Sequence, residues 1–132
     1  MAEDIAAKEM PVVVMPQSNS SGASYYSEAQ DIKWNNAQIL SDAGVKVALA
    51  MDRDETGLLT VALFAVRHGM SREKALRAIT LVPAEILGVS GRLGSIEKGK
   101  DADLLILSGQ PLVGTTRIEK VIIDGKTVHQ AD

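Results

Sequence analysis

The apolar positions in the first half of the chain form two short continuous runs with a helical stretch between them. Residues 11–15 and 45–50 have the composition of strands that are buried on both faces. Residues 35–43 between them carry apolar side chains at helical spacing, and Gly44 is a typical helix stop signal. Strand, helix and strand in this order predict a βαβ unit with two parallel strands. Residues 2–9, ahead of the first run, are rich in alanine and compatible with a helix.

Helical patterns dominate the next part of the chain. Residues 58–66 are apolar almost all round, which predicts a helix covered on several sides. Ser71 is a good N-cap for the following helix, and Glu73 in its first turn suits the positive end of the helix dipole. Pro83 is suited to the first position of a further short helix over residues 84–87. The stripe predicted to be buried in the middle helix consists of Ala75, Leu76, Ala78 and Ile79.

The pattern changes to glycine-spaced turns and short strands near residue 90. Residues 102–107 are predicted to form one strand. Residues 118–123 and 126–130 are predicted to form a hairpin, because Asp124 and Gly125 between them are a strong two-residue turn signal. The chain therefore combines α/β elements with a β-rich end.

Acidic and aromatic side chains follow the two predicted parallel strands. Asp52 comes directly after the second strand, where ligands collect in parallel α/β structures, and a carboxylate there can bind a metal or accept a proton. An exposed acidic turn neutralised by Arg53 is the alternative. Tyr25 and Tyr26 lie in a long polar segment after the first strand and are candidates for the wall of a substrate pocket. They could equally anchor that loop.

Composition excludes several classes of protein and site. A net charge of -3 and 3% aromatic residues argue against a nucleic-acid partner, which favours a basic face and stacking platforms. The longest apolar stretch is about half of the roughly 20 residues that cross a bilayer, so no membrane partner is expected. The absence of cysteine excludes disulfides, thiolate metal sites and a cysteine nucleophile. With no secretory pattern at the acidic N-terminus, we expect a cytoplasmic protein.

Two further patterns favour structural roles. Residues 94–101 have the glycine and lysine spacing of a phosphate loop, but Asp101 stands where a magnesium-binding hydroxyl is required. We therefore predict a turn rather than a nucleotide site. His68 is predicted to interact with the end of the preceding helix, and His129 to lie at a surface or sheet edge.

Five segments carry a family resemblance, and from the first to the last they cover a stretch of about two-thirds of the chain: residues 44–52 (GVKVALAMD), 69–80 (GMSREKALRAIT), 83–88 (PAEILG), 91–104 (GRLGSIEKGKDADL) and 121–126 (VIIDGK). In this order they resemble the C-terminal part of the amidohydrolase superfamily, in particular the imidazolonepropionase-like amidohydrolases. The resemblance implies a (β/α)8 barrel joined to a small β-sandwich that is built from both chain ends. It also implies hydrolysis of C–N bonds in cyclic amide or amide substrates with one or two divalent metals, of which zinc is expected.

Carried over onto this sequence, the resemblance implies an α/β fold in two parts. Residues 1–90 would be a fragment of the barrel, with two parallel strands and the terminal helices, and residues 91–132 would be the sandwich segment with its hairpin. Asp52 would be the aspartate that ends the last barrel strand, contacts the metal and takes a proton from the attacking water. The resemblance places the other metal ligands upstream of Met1.

We therefore expect a truncated, separately encoded or proteolysed piece of a larger enzyme. Alone it would bind no metal and be inactive, since one carboxylate holds zinc weakly. Its expected partner is the missing N-terminal portion of the barrel, or further copies that pair its open strand edges. A non-catalytic interaction or scaffold module that reuses the fragment is the alternative function.

Overall fold

The computed structural model describes residues 1–15, 35–51 and 57–131. Ten elements follow one another in these ranges: α1 (Ala2–Ala7), β1 (Val12–Val14), α2 (Asn36–Asp42), β2 (Val47–Leu49), α3 (Leu58–Arg67), α4 (Arg72–Ile79), α5 (Leu81–Ile86), β3 (Leu104–Leu107), β4 (Ile118–Ile123) and β5 (Lys126–Gln130). The strands form a two-stranded sheet of β1 and β2 and a three-stranded sheet in the order β3-β4-β5. The fold is α/β, as predicted.

The first sheet is the predicted parallel pair, with α2 between its strands in the sequence. Val12 lies opposite Val47, and Val14 lies opposite Leu49. The pairing continues beyond both ends, since the Val12 N–H donates to the Lys46 carbonyl (2.9 Å) and the Ala50 N–H donates to the Val14 carbonyl (3.0 Å). The two strands differ in burial. All of β2 is buried as predicted, whereas Val13 of β1 is 56% exposed, because no described element covers that face.

Small side chains allow the helices to pack closely against β2. Val61, Ala62 and Ala65 of α3 are buried in one cluster with Ala75 and Ala78 of α4. The other two positions of the predicted stripe in α4, Leu76 and Ile79, are only partly buried and pack against this cluster.

The ends of the helices partly follow the sequence signals. Ser71 caps α4 as predicted, with its Oγ accepting from the Lys74 N–H (3.2 Å). The last helix begins at Leu81, so Pro83 is its third residue rather than its first. That position is compatible with proline because N–H groups in the first turn have no partner within the helix.

No helix in the described ranges is long and apolar enough to cross a membrane. The longest of them, α3, has 10 residues. The predicted cytoplasmic location stays a prediction.

The antiparallel sheet contains the predicted hairpin. Asp124 and Gly125 both have positive φ angles (49° and 72°), as a two-residue hairpin turn of this kind requires. The first strand of the sheet begins at Leu104, two residues later than predicted. The reason is that the two preceding residues brace the hairpin turn: the Asp103 Oδ1 accepts from the Asp124 N–H (2.8 Å) and the Ala102 carbonyl accepts from the Gly125 N–H (3.1 Å).

Neither face of this sheet is fully covered within the described residues. No residue of β3, β4 or β5 is buried. The large apolar side chains exposed on these strands belong to Leu105, Ile106, Ile118, Ile123 and Val128. A sheet of this kind has apolar surface available for further packing.

Candidate functional site

The candidate site lies at the carboxyl ends of the two parallel strands. The register places Val14 and Leu49 side by side, so both strands end at the same edge of the sheet. In the sequence, residues 16–34 follow the first of these ends and residues 52–56 follow the second. The candidate residues Asp52, Tyr25 and Tyr26 fall in these two segments, outside the described residues. Their predicted roles therefore stay predictions.

The residues directly before and directly after the segment that contains Asp52 are held by packing or by hydrogen bonds. Met51, directly before it, is partly buried and packs against the core cluster. Gly57, directly after it, has a φ angle of 70° and precedes α3, where its carbonyl accepts from the Thr60 N–H (3.1 Å). The positive φ explains a glycine at this junction, because other L-residues rarely adopt that conformation. The chain thus enters and leaves residues 52–56 through two residues fixed by packing or hydrogen bonding.

His68 lies at the other end of α3 and interacts with that helix, as predicted. Its Nδ1 is 2.9 Å from the Phe64 carbonyl oxygen, and its ring centroid is 4.1 Å from that of Phe64. Ten helical residues separate His68 from Gly57, a rise of about 15 Å along the helix axis. His129 is exposed on β5, opposite Val121 of β4. The two histidines are therefore in different parts of the structure.

A metal site needs several side chains with ligand atoms at one place. Among the described residues, no group of three or more His, Asp or Glu side chains is placed to hold an ion. Residues 1–15, 35–51 and 57–131 on their own thus do not fit a divalent metal, and any such site needs ligands from elsewhere.

Residues 94–101 form a closed turn rather than an anion-binding loop. The Lys100 ammonium donates to the Ser95 Oγ (2.5 Å) and to the Glu97 Oε1 (3.2 Å), so a carboxylate already neutralises it. The Ser95 hydroxyl and then Lys100 lower the pKa of Glu97 by hydrogen bonding to its charged form. Arg92 and Asp101 form an ion pair across the turn (2.6 Å). This arrangement favours the structural interpretation of the segment.

A cavity of about 640 Å³ lies at the opposite end of the parallel sheet from the candidate site. Pro11 and Val45, which precede the two strands, line it together with the Lys46–Glu85 ion pair (2.9 Å). Ligands of parallel α/β structures bind at the carboxyl ends of the strands, whereas this cavity is at the amino ends. It is therefore separate from the candidate site.

A polar contact joins α2 to α4 on the outside of the helical layer. The Lys74 Nζ lies 2.8 Å from the Asp42 Oδ1, and Gln38 donates to the same carboxylate. The hydrogen bond from Lys74, followed by that from Gln38, lowers the pKa of Asp42. Exposed pairs of this kind contribute little stability. The contact links two helices that both pack against the buried strand β2.

The class of protein follows from a comparison with known families. The profile described as the Amidohydrolase family matches residues 6–128. The chain belongs to the amidohydrolase family, and the resemblance seen in the sequence is confirmed.

Matches to individual relatives are more specific than the match to the family profile. The chain is 37% identical over 105 residues to imidazolonepropionase of Geobacillus kaustophilus, a match that covers 70% of this chain and 25% of the relative. It is 35% identical over 80 residues to imidazolonepropionase of Thermoplasma acidophilum, covering 57% of this chain and 20% of the relative. The chain thus spans about a quarter of the length of these relatives or less.

Solved structures show the same relationship over nearly the whole chain. An amidohydrolase from Thermotoga maritima superimposes with a TM-score of 0.85 and 35% identity, covering 98% of this chain and 34% of that protein. An adenosine deaminase from Xanthomonas campestris, crystallised with bound zinc, superimposes with a TM-score of 0.62 and 28% identity over 95% of this chain and 33% of its own.

Proposed function

We propose that this chain is the part of a metal-dependent amidohydrolase that ends the barrel and carries one catalytic aspartate. The reaction would be hydrolysis of C–N bonds in cyclic amide or amide-type substrates. The observation that carries the proposal is positional: in a chain matched by the family over residues 6–128, Asp52 is the third residue after the buried parallel strand β2. The names of two proteins that the chain matches, imidazolonepropionase and adenosine deaminase, support C–N bonds as the target.

The proposed role of Asp52 is to accept a proton from the attacking water and to contribute one metal ligand. A divalent ion, for which zinc is the first candidate, would acidify that water. The remaining ligands would come from polypeptide beyond these 132 residues. Tyr25 and Tyr26 are proposed to line the substrate pocket. The segment that contains them follows the carboxyl end of β1 in the sequence, and that end lies beside the carboxyl end of β2.

The proposed architecture has a boundary near residue 90. Residues 1–90 would belong to a (β/α)8 barrel, and residues 91–132 to a β-sandwich that needs further strands. Two features support this division. The parallel sheet contains only two described strands, and the antiparallel sheet has apolar side chains exposed on strands that are buried on neither face.

A chimera tests the proposed role of Asp52. This chain would replace the matching segment of the Thermotoga maritima amidohydrolase, to which it is 35% identical. We expect Asp52→Asn to lower the hydrolysis rate of the recipient's substrate by at least about a hundredfold, the usual contribution of a positioned proton acceptor. Zinc content by elemental analysis should fall or the metal should exchange faster, because a ligand is weakened.

The matched control is Asp124→Asn, at the hairpin turn, where asparagine also tolerates the positive φ. This control should leave rate and metal content unchanged, and circular dichroism of both variants shows whether the chimera folds. Full activity of the Asp52→Asn chimera would contradict the proposal.

Association is the second part of the proposal. The backbone groups of Val12 and Val14 form hydrogen bonds with β2. Since successive residues of a strand in a parallel sheet direct their N–H and C=O groups to opposite sides, those of Val13 point away from β2, toward the edge that no described strand occupies. An open edge is a template for another strand. We propose that in the whole enzyme the missing barrel portion occupies this edge, and that in its absence copies of the chain pair there.

Sedimentation of the 132-residue chain at micromolar concentration tests this idea. We expect dimers or larger species, and Val13→Lys should shift them to monomers because a charge on an edge strand opposes pairing. The control is Val128→Lys on β5, where the original side chain is 57% exposed against 56% for Val13. A monomeric wild-type chain, or dissociation by Val128→Lys alone, would overturn the assignment of the β1 edge.

A further inference from the structure

The connection between β3 and β4, residues 108–117 and here named the strap, returns from the antiparallel sheet to the helical core. Leu112 at its centre is 5% exposed and belongs to the same apolar cluster as Val61 and Ala65 of α3. The strap residues on either side are more exposed, with Gly109 and Gly114 fully at the surface. One side chain therefore anchors the strap.

The backbone at this anchor adopts a conformation that leucine rarely takes. Leu112 has a φ angle of 58°, in the left-handed region where the side chain crowds the backbone. A strained residue persists only where surrounding structure over-determines its conformation. Burial of the Leu112 side chain in the core compensates for this backbone strain. Burial and strain are therefore coupled at one residue.

The hydrogen bonds of the strap are all internal within the described part of the chain. Ser108 and Arg117 are joined twice, by the Ser108 N–H to the Arg117 carbonyl (3.0 Å) and by the Arg117 N–H to the Ser108 Oγ (2.9 Å). Thr116 donates from its N–H to the Val113 carbonyl (2.9 Å) and from its Oγ1 to the Gln110 carbonyl (2.7 Å). None of these bonds has to break when the strap leaves the core.

Within the described residues, the strands of the antiparallel sheet make no extensive contact with the helices or with the parallel sheet. In the described residues, the extensive contacts between elements lie either among the helices and the parallel sheet or within the antiparallel sheet. The remaining connection is the turn at residues 91–103, which packs on α5 at Gly94 and precedes β3 in the sequence. Leu112 is thus the apolar side chain through which the strap between β3 and β4 contacts the core.

We propose that the strap is a conformational latch. With Leu112 seated, it holds the antiparallel sheet on the helical core, and withdrawal of this one side chain releases the strap as a braced unit while the core stays folded. The latch is independent of the proposed hydrolytic function, because it rests on burial, backbone angle and hydrogen bonding alone.

The chain has no cysteine, so single cysteines report opening without background. Three variants of the chain would be labelled with a thiol reagent in increasing urea below the unfolding transition: Leu112→Cys, Val61→Cys in the core and Leu105→Cys on the exposed sheet. We expect Leu112→Cys to react with the reagent at least about tenfold more slowly than Leu105→Cys, since opening must precede labelling. The labelling rate of Leu112→Cys should change little with urea. The labelling rate of Val61→Cys should rise steeply with urea, because unfolding of the core exposes far more surface than opening of the strap.

Two further variants separate the latch from a general loss of stability. Val113→Cys keeps Leu112 in place and covers the case in which Leu112→Cys does not fold; because Val113 is partly exposed in the seated strap, we expect labelling faster than at 112 but slower than at 105, with the same weak urea dependence. Thr116→Val removes the bond to Gln110, which stays made in both states if the strap moves as a braced unit, so labelling at 112 or 113 should change little; marked acceleration there would mean that the strap unravels instead. Equal, steep urea dependence at strap and core would overturn the latch, as would labelling at 112 as fast as at 105.

Discussion

Replacing Gly94 with alanine is expected to lower the free energy of unfolding by about 2–5 kcal/mol, from left-handed strain and overpacking together. Gly94 has a φ angle of 92°, and an added Cβ would lie 2.8 Å from the Ala84 Cβ, 2.9 Å from the Leu81 Cα and 3.0 Å from the Thr80 carbonyl oxygen. Two of these atoms belong to the backbone at the start of α5, which cannot move aside alone. Urea unfolding followed by circular dichroism measures the loss.

Gly99 provides a control within the same turn. Its φ angle of 94° is nearly that of Gly94, but an added Cβ would meet nothing within 4 Å. Gly99→Ala should therefore show the backbone strain alone, about 1–2 kcal/mol. If both substitutions lower the free energy of unfolding by the same amount, the close approach of Gly94 to α5 does not contribute to the effect of Gly94→Ala. A larger loss at Gly94 would show that this turn positions the chain against the helical layer before it enters the antiparallel sheet.

The features predicted correctly from sequence are those that short-range chemistry determines. The hairpin turn at Asp124 and Gly125 needs only two residues that accept positive φ. The cap at Ser71 needs only a hydroxyl placed three residues before an N–H that has no helical partner. The parallel pair follows from two apolar runs and the helix between them. For the turn and the cap the information lies within a few residues of the element, and for the parallel pair it lies in the order of three successive elements.

The features predicted incorrectly depend on distant partners. The late start of β3 arises because Asp103 bonds to Asp124, 21 residues away. The exposure of Val13 depends on which elements cover β1, which an apolar run does not specify. Leu112 could not be singled out, because the sequence around it reads as a surface turn and its burial and positive φ come from the tertiary fold.

The candidate site was predicted from position rather than from a local motif. An acidic residue after a parallel strand is a general signal, and the predicted strand before Asp52 is present, although it ends at Leu49, one residue earlier than predicted. The ligands that would complete a metal site are not brought together by the described residues. Ligands drawn from distant parts of a fold leave no periodicity in a single segment, so the position after β2 makes Asp52 a candidate and only the resemblance gives that candidate a role.

The strand that leads to the candidate site is also where the second large effect is expected. Leu49 of β2 is 4% exposed and lies in the core cluster, opposite Val14 of β1. Truncating it to alanine should lower the free energy of unfolding by about 2–5 kcal/mol, since the buried side chain is lost and a cavity remains. Urea unfolding gives this value, and an unchanged slope with denaturant would show that the loss is one of stability rather than of compactness.

Leu105→Ala on β3 makes the same chemical change in a strand that is buried on neither face. Leu105 is 46% exposed, so its truncation should cost about 1 kcal/mol or less, because little apolar area returns to water and no closed cavity forms. A comparable loss at both positions would mean that β2 is not the centre of the core. A selective loss at Leu49 would show that the strand directly before Asp52 is held by the best-packed part of the structure, as a site that must fix a carboxylate requires.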